Sequence, residues 1–348
     1  MSSEDVAQHY NAIPNAGIRA RMDSKIYYMR NFNNWMKSML IAEFLERLKD
    51  DGCRRVRVLD LCCGKGGDLL KWQIGGIDEI LMTDVADVSI DHAKERYKDT
   101  QKKMERQRKR LFKATFLVAD AGDCRLADHY EPDREFDLAS CQFALHYSFL
   151  NEKRAWQFLK NATERIRPGG YFIGTLPDAY QIINLIRTKG KDNCYENEVC
   201  RIDYKDKSID LNETQPPLFG AEIHFGLDNV VNCPEYLANF ALLKLMLSDL
   251  DMELVYEERF CDAYKRYLKQ HEGKQLLKRM KAAELFSLRD HSNSEHDKHE
   301  YKHAVDYLHE KFPDKPNEQV GTISASEWEV ISMYLLFAFQ KREPKSSH

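Results

Sequence analysis

The chain has 348 residues, of which 43% are hydrophobic and 31% charged, and carries a formal net charge of −4. That composition is globular and the length exceeds what one core usually fills, so one α/β domain with a sizeable inserted lobe is expected; the acidic balance excludes a broad, sequence-blind grip on polynucleotide backbone and leaves room only for local RNA contacts. The nine cysteines are scattered with no C-x-x-C pair and read as reduced intracellular thiols, while no apolar run resembles a signal peptide or reaches membrane-spanning length.

In chain order, His9, Tyr10 and Asn11 precede a helical pattern over residues 24–49, in which Ile26, Met29, Phe32, Met36, Met39, Leu40, Phe44 and Leu48 make an apolar face. Asn33 and Asn34 sit inside it. Paired asparagines are poor in a helix interior, so they read either as a local break or cap or as hydrogen-bonding groups for a ligand edge.

The next stretch, 57–72, organises the rest of the chain. Val56, Val58 and Leu59 start a short buried strand, the backbone turns through Cys62, Cys63, Gly64, Lys65, Gly66 and Gly67, and a helical pattern starts at Asp68. Such a loop is either an ordinary strand-to-helix turn or a cradle in which glycine backbone approaches a nucleotide-type cofactor. The surroundings favour the cradle. A second strand over 80–83 ends at Asp84, where an acid meets ribose hydroxyls in both dinucleotide and S-adenosylmethionine folds. An acidic strand end at Asp120, a polar strand exit at Gln142 and a terminal pair of strands favour the second cofactor.

A charged helix over 89–110 ends in a basic run, Lys102, Lys103 and 106–110, which reads as a solvated face or as a patch for RNA or nuclear import. A strand over 114–119 delivers Asp120, able to accept from an adenine amine or to cap a turn. The strand over 136–141 exits into 142–148, where His146 and Tyr147 can grip a flat base. A helix over 152–166 stops at Pro168-Gly169-Gly170 and a strand follows at 171–175. From 178 the α/β rhythm breaks: Pro216-Pro217 reads as a rigid turn, 221–226 as an added strand, and 230–235 as the lead into an apolar helix at 236–249. Strands at 253–257 and 330–339 close the sheet. The charged excursion between them carries His291, His296, His299, His303 and His309, which lack a carboxylate or thiolate partner set and read as a solvated segment, with no metal expected. No Ser-His-Asp or paired-carboxylate constellation is present, so no catalytic acid or base is assigned.

These pieces, in this order, resemble the eukaryotic mRNA cap guanine-N7 methyltransferases from about His9 to Phe339. The residues that carry the resemblance are His9-Tyr10-Asn11, 30–38, 60–72, 83–89, 140–149, 168–175, 217–220 and Ser326-Glu327-Trp328-Glu329. The resemblance implies a Rossmann-like class I S-adenosylmethionine-dependent methyltransferase, with a seven-stranded, mostly parallel sheet, helices on both faces and an inserted lobe. It implies a single domain over 1–348, in which 1–51 contributes to both pockets while 178–250 and 261–327 form the substrate lobe. S-adenosylmethionine, the implied cofactor, is expected against Lys37, Cys62, Gly64, Gly66, Asp84, Asp120, Gln142 and Tyr147. The cap is expected against Asn33, Asn34, His146, Glu235 and Tyr334, with Lys65, Lys71 and Arg96 supplying positive charge near its phosphates or the RNA. The implied chemistry is positioning without a general base, and the implied partner is a GpppN-capped mRNA end in the nucleus, with the capping machinery, the RNA polymerase II tail or a small activating subunit alongside and no membrane.

One position departs from the pattern: Cys62 stands where the family usually has the first loop glycine, and is expected to keep a negative φ at a modest cost in cofactor affinity. Two other readings share parts of the sequence, a methyltransferase acting on a small molecule or protein, and a catalytically silent cap- or RNA-binding module at which Cys62 hints.

Overall fold

The computed structural model describes residues 11, 24–228, 230–289, 299–315 and 317–343. The first half alternates: α1 (Tyr27–Asp50), β1 (Arg57–Leu61), α2 (Leu69–Gly75), β2 (Glu79–Asp84), α3 (Asp87–Arg106), β3 (Lys113–Val118), β4 (Phe136–Gln142), α4 (Glu152–Thr163), β5 (Ile166–Pro177) and α5 (Ala179–Lys189). Four short strands follow, β6 (Cys194–Glu196), β7 (Cys200–Tyr204), β8 (Glu222–Leu227) and β9 (Val231–Tyr236), then α6 (Phe240–Asp249) and β10 (Met252–Arg259). The remainder is α7 (Phe260–Tyr267), α8 (His271–Arg279), β11 (Glu284–Phe286), α9 (Lys302–Lys311), β12 (Val320–Thr322), α10 (Ala325–Ile331) and β13 (Tyr334–Lys341).

The central sheet has seven strands in the order β10-β13-β5-β4-β1-β2-β3. All neighbours are parallel except β13, which runs antiparallel to both β5 and β10. The register sets Leu61 beside Thr83 on one side and Cys141 on the other, so the ends of β1, β2 and β4 finish level along one edge of the sheet. Ligands of open α/β sheets bind at that edge. A separate four-stranded antiparallel sheet, β6-β7-β8-β9, carries the inserted segment back to that edge.

Alternation along β1 explains the two-layer core. Val58 packs with Ile80, Met82, Trp72 and the apolar face of α1, while Leu59 and Leu61 point to the other side against Phe158, Leu159, Leu243 and Leu247. All eight apolar residues expected on the face of α1 are buried. Among the described residues no helix is long and apolar enough to cross a membrane.

Several boundaries differ from the sequence expectation. Tyr236 ends β9, and α6 starts only at Phe240, because the Asn239 side chain accepts from Leu242 N and caps the helix there. Ile166 opens β5, which runs through Pro168-Gly169-Gly170 and reaches Pro177. The segment expected as one strand over 330–339 is divided: Val330 belongs to α10, whose start is fixed by a reciprocal capping box between Ser324 and Glu327, and the strand begins at Tyr334. The short strands β6 and β7 lack a long enough alternation to be visible in sequence.

One core residue carries a pH signature. Asp60 faces the α1 side of β1, is 2% exposed and accepts from Trp72 Nε1 at 3.3 Å. Burial, reinforced by the negative charge of Asp68, pushes its carboxyl from 3.8 up to about 8. The folded protein therefore keeps a proton that the unfolded chain releases, and the stabilisation this gives at low pH is lost as the pH rises from about 4 to about 8, at up to about 1.4 kcal/mol per pH unit for one group. Asp60→Asn keeps the acceptor for Trp72 and removes the titration. Denaturant melts across this window are expected to show the variant gaining on the native protein as the pH rises; parallel curves for the two would refute the assignment.

Candidate active site

The β1–α2 loop turns on three left-handed residues, Cys62 (φ 53°), Gly64 (φ 52°) and Gly66 (φ 70°). A side-chain carbon on Gly64 would meet no protein atom within 4 Å, so its backbone faces open space. On Gly66 the same carbon would lie 2.8 Å from Leu69 Cδ1 and 3.2 Å from Ala93 Cβ; this glycine seats the loop against α3 and does not line a cavity. The loop is tied to β2 by Asp84. Its Oδ2 accepts from Gly64 N at 2.8 Å and its Oδ1 from Ala86 N at 2.9 Å. Burial raises the Asp84 carboxyl above its usual range, and the backbone donors pull in the opposite direction.

Beneath this loop lies a cavity of about 350 Å³. Of the residues expected to hold a cofactor, Lys37, Cys62, Gly64, Asp84, Asp120, Gln142 and Tyr147 line it. Asp120 is not a bare carboxylate there: Arg154 Nη2 donates to both oxygens at 2.8 and 2.7 Å, and Gly122 N donates to Oδ1 at 2.9 Å. Gln142 donates to Ser140 Oγ at 3.0 Å, and its Oε1 is buried without a partner in the protein. An orphaned acceptor beside an open glycine backbone fits a polar, hydrogen-bond-donating ligand such as the adenosine part of the expected cofactor.

Lys37 reaches the cavity from α1 and is anchored behind it. Asp68 takes Lys37 Nζ at 2.9 Å and Lys71 Nζ at 2.6 Å, and Lys71 also donates to Asn34 Oδ1. Burial alone would raise the Asp68 carboxyl, but the two ammonium groups override it and hold it at about 2. Lys71 is thus spent on Asp68 and Asn34 and lines neither this cavity nor the next. Lys65 and Arg96 lie near each other away from both linings, where burial and the Arg96 charge lower the Lys65 ammonium below its usual range.

A second cluster shares a wall with the cavity. Tyr147 donates its hydroxyl to Glu235 Oε1 at 3.1 Å, and His146 Nε2 lies 3.3 Å from Glu235 Oε2, without a hydrogen-bonding geometry for either ring nitrogen. Glu235 comes from β9, so the inserted sheet delivers this carboxylate to the exit of β4. It is 6% exposed and His146 2%. The His146 and Tyr147 rings lie 4.3 Å apart. Tyr334, at the start of β13, sets its ring edge-on to Phe143 at 4.9 Å; burial, then the charge of Glu235, raises its hydroxyl far above the usual range. Phe143 lines the cavity of about 350 Å³ and also a second cavity of about 310 Å³ that is lined by Asn33, Asn34 and Lys37 as well. The asparagine pair is thus neither a break nor a cap: α1 is continuous through it.

Sequence reasoning passed over Phe143, Arg154, Ser89 and Tyr236, all on the cavity lining. Phe143 stood inside the quoted exit segment, but an aromatic ring in a loop has no polar signature; its left-handed backbone (φ 58°), held by Thr175 O and Oγ1, appears only in three dimensions. Asn11 donates to Asp87 Oδ1 at 3.0 Å, while His9 and Tyr10 lie outside the described residues. In the histidine segment, His303 pairs with Thr322 Oγ1, His299 lies 3.5 Å from Glu300, and His291 and His296 lie outside the described residues. Among the described residues no group of three or more His, Cys, Asp or Glu is arranged to hold a metal ion.

The family profile of the mRNA (guanine-N(7))-methyltransferase domain matches residues 1–342. The chain belongs to this family. It is 46% identical over 347 residues to the mRNA cap guanine-N(7) methyltransferase of Caenorhabditis elegans, covering 99% of this chain and 89% of that protein. It is 40% identical over 342 residues to the Drosophila melanogaster protein of the same name, covering 97% and 76%. The Schizosaccharomyces pombe mRNA cap guanine-N(7) methyltransferase is 30% identical over 345 residues, covering 98% and 83%.

In this cap methyltransferase domain the loop departs from the expected backbone at Cys62. Cys62 does not keep a negative φ: it adopts the glycine conformation, because the turn that follows β1 must bring Cys63 N onto Thr83 O at 3.0 Å. A non-glycine residue there stores on the order of 1–3 kcal/mol of strain. A hydrogen bond with Cys141 and burial push the Cys62 thiol well above its usual range, leaving it a neutral, unreactive wall of the cavity. Cys62→Gly is expected to melt at or above the native temperature and to bind S-adenosylmethionine more tightly, whereas Cys62→Val is expected to lose about 1–3 kcal/mol because a β-branched residue tolerates positive φ poorly. Thermal melts and calorimetric titration check both, and a glycine variant that melts well below the native protein would show that thiol packing outweighs the strain.

Proposed function

We propose that this chain transfers the methyl group of S-adenosylmethionine to N7 of the terminal guanine of GpppN-capped RNA. The cofactor supplies a methyl on a positively charged sulfur, an electrophile that needs no further activation. Guanine N7 carries a free lone pair, so the attacking atom gives up no proton and the protein has no general base to provide. Its contribution is placement. Holding two reactants as a near-attack pair supplies on the order of 7–11 kcal/mol.

In this reading Lys37, Cys62, Gly64, Asp84, Asp120, Gln142 and Tyr147 hold the donor, and Gly66 keeps the loop in its seat. Asn33, Asn34, His146, Glu235 and Tyr334 hold the cap. Lys65 and Arg96 supply positive charge toward the RNA, and Lys71 acts through Asn34. The observation that carries the reading is Glu235, a buried carboxylate hydrogen-bonded by a tyrosine that also lines the donor cavity. A carboxylate has about four acceptor positions, so one pointing along the guanine N1–H and amino edge selects guanine over adenine. The same negative charge favours the transition state, in which positive charge moves from sulfur to the purine. The 178–250 and 261–327 segments make the substrate side of the enzyme, residues 1–51 serve both pockets, and action on nascent mRNA places the enzyme in the nucleus beside the capping machinery, the RNA polymerase II tail or a small activating subunit.

The test is labelled S-adenosylmethionine with unmethylated GpppN-capped RNA, followed by separate titration of each ligand. Glu235→Ala is expected to weaken capped-end binding by about 10- to 100-fold, the cost of one charge-assisted contact, while leaving donor affinity unchanged; Asp84→Ala is expected to do the reverse. Swapped effects, or transfer to a small molecule or protein and not to the cap, would overturn the reading.

A further inference from the structure

The cavity of about 310 Å³ over α1 holds more than the two asparagines assigned to the cap. Tyr27, Arg30 and Asn31 also line it, and no residue on its lining is acidic. Tyr27, Arg30, Asn34 and Lys37 fall at spacings of three, four and three along α1, one face of the helix. Ten residues separate Tyr27 from Lys37, about 15 Å of helix, so the face runs outward from the wall of the donor cavity to the first turn of α1. Asn33 Oδ1 is buried on this lining without a partner in the protein. A lining of two cations, amides and two aromatic rings, with an acceptor left open, suits an anionic ligand that also carries a flat base.

Resting on the cap reading above, we propose that this cavity is the subsite for the first transcribed nucleotide: the triphosphate bridge passes Arg30, and the base of that nucleotide stacks on Tyr27. The Tyr27 ring is held ready, edge-on to Tyr28 at 5.1 Å and 75°. The positive end of α1 does not by itself make the site, since Met29 N already donates to the buried Glu327 at 3.0 Å; the attraction comes from the side chains. Stacking without hydrogen bonds to the base edge accepts any base, so the subsite distinguishes a GpppN end from a free guanosine phosphate without selecting the transcript sequence.

The wild-type protein gives the first test, calorimetric titration with the methylated dinucleotide m7GpppA against m7GTP. The dinucleotide is expected to bind about tenfold tighter, the scale of one base–aromatic stack. Equal affinities would overturn the proposal. The second test measures kcat/KM for GpppA and for GTP as methyl acceptors. Tyr27→Ala is expected to lower the GpppA value about tenfold and to leave the GTP value within about twofold, while Tyr27→Phe, which keeps the stacking face, preserves both. A parallel fall with both acceptors would show a structural role for Tyr27 and refute the subsite, as would no fall at all. A wild-type protein that methylates neither acceptor refutes the cap reading itself.

Discussion

Asp84 accepts the amide of Gly64 with one carboxylate oxygen and that of Ala86 with the other, and the shape of the site follows from that clamp. Without it, the β1–α2 loop would still reach β2 through Cys63 N on Thr83 O, but Gly64 and Ala86 would have no common anchor. With it they are one rim, and the cavity they enclose has a fixed width. The clamp is itself costly, because the carboxylate is buried and its charge is desolvated. What stabilises it is the pair of backbone donors, groups that no substitution in the loop can remove short of proline. A carboxylate held in this way keeps acceptor capacity on its remaining lone pairs, so the same residue organises the loop and presents an acceptor to the cavity it lines.

Two residues of the rim, Cys62 and Phe143, occupy left-handed backbone although neither is glycine. Both are overdetermined by neighbours: Cys63 N reaches Thr83 O after the first, and Phe143 N is shared by Thr175 O and Oγ1 at the second. Strain at positions held from both sides persists and is characteristic of sites that fix a ligand by shape. The consequence at Phe143 is geometric. This residue lines both the larger cavity and the cavity over α1 and packs edge-on against Tyr334, so one residue with left-handed backbone is, like Lys37, shared by the two cavities.

Much of this was legible in the sequence, and the parts that were not share a cause. The parallel half of the sheet is written in short apolar runs ended by Gly64, Asp84, Asp120 and Gln142, and each of those residues reached the rim of one cavity. Burial of a whole strand and the chemistry at its end are local facts. Partnership is not. Nothing near Asp120 announces Arg154, which arrives from α4, and nothing near Lys71 announces that Asp68 and Asn34 will consume its charge. Of the inserted sheet only β8 is legible, for a similar reason: β6 has three residues and β7 five, too few for alternation to rise above chance, and β9 reads as the lead into the helix that follows it. The φ of Cys62 is illegible for the same reason, since it is set by the hydrogen bond from Cys63 N to Thr83 O and not by a cysteine's own preference.

On the proposed reading, donor and acceptor groups come from different elements of the molecule, and that division bears on how methyl transfer proceeds without a catalytic acid or base. The ends of parallel strands, level by register, build the rim that this reading gives to the donor. On that reading the acceptor side is assembled from β9 of the second sheet, the first turns of α1 and the start of β13, which is itself a strand of the central sheet paired with β5, and these touch the rim through side chains such as Tyr147 on Glu235 and Phe143 on Tyr334. If placement supplies most of the rate, these few side-chain contacts between the layers set the angle of approach, and small displacements of the inserted sheet change the rate more than the affinity.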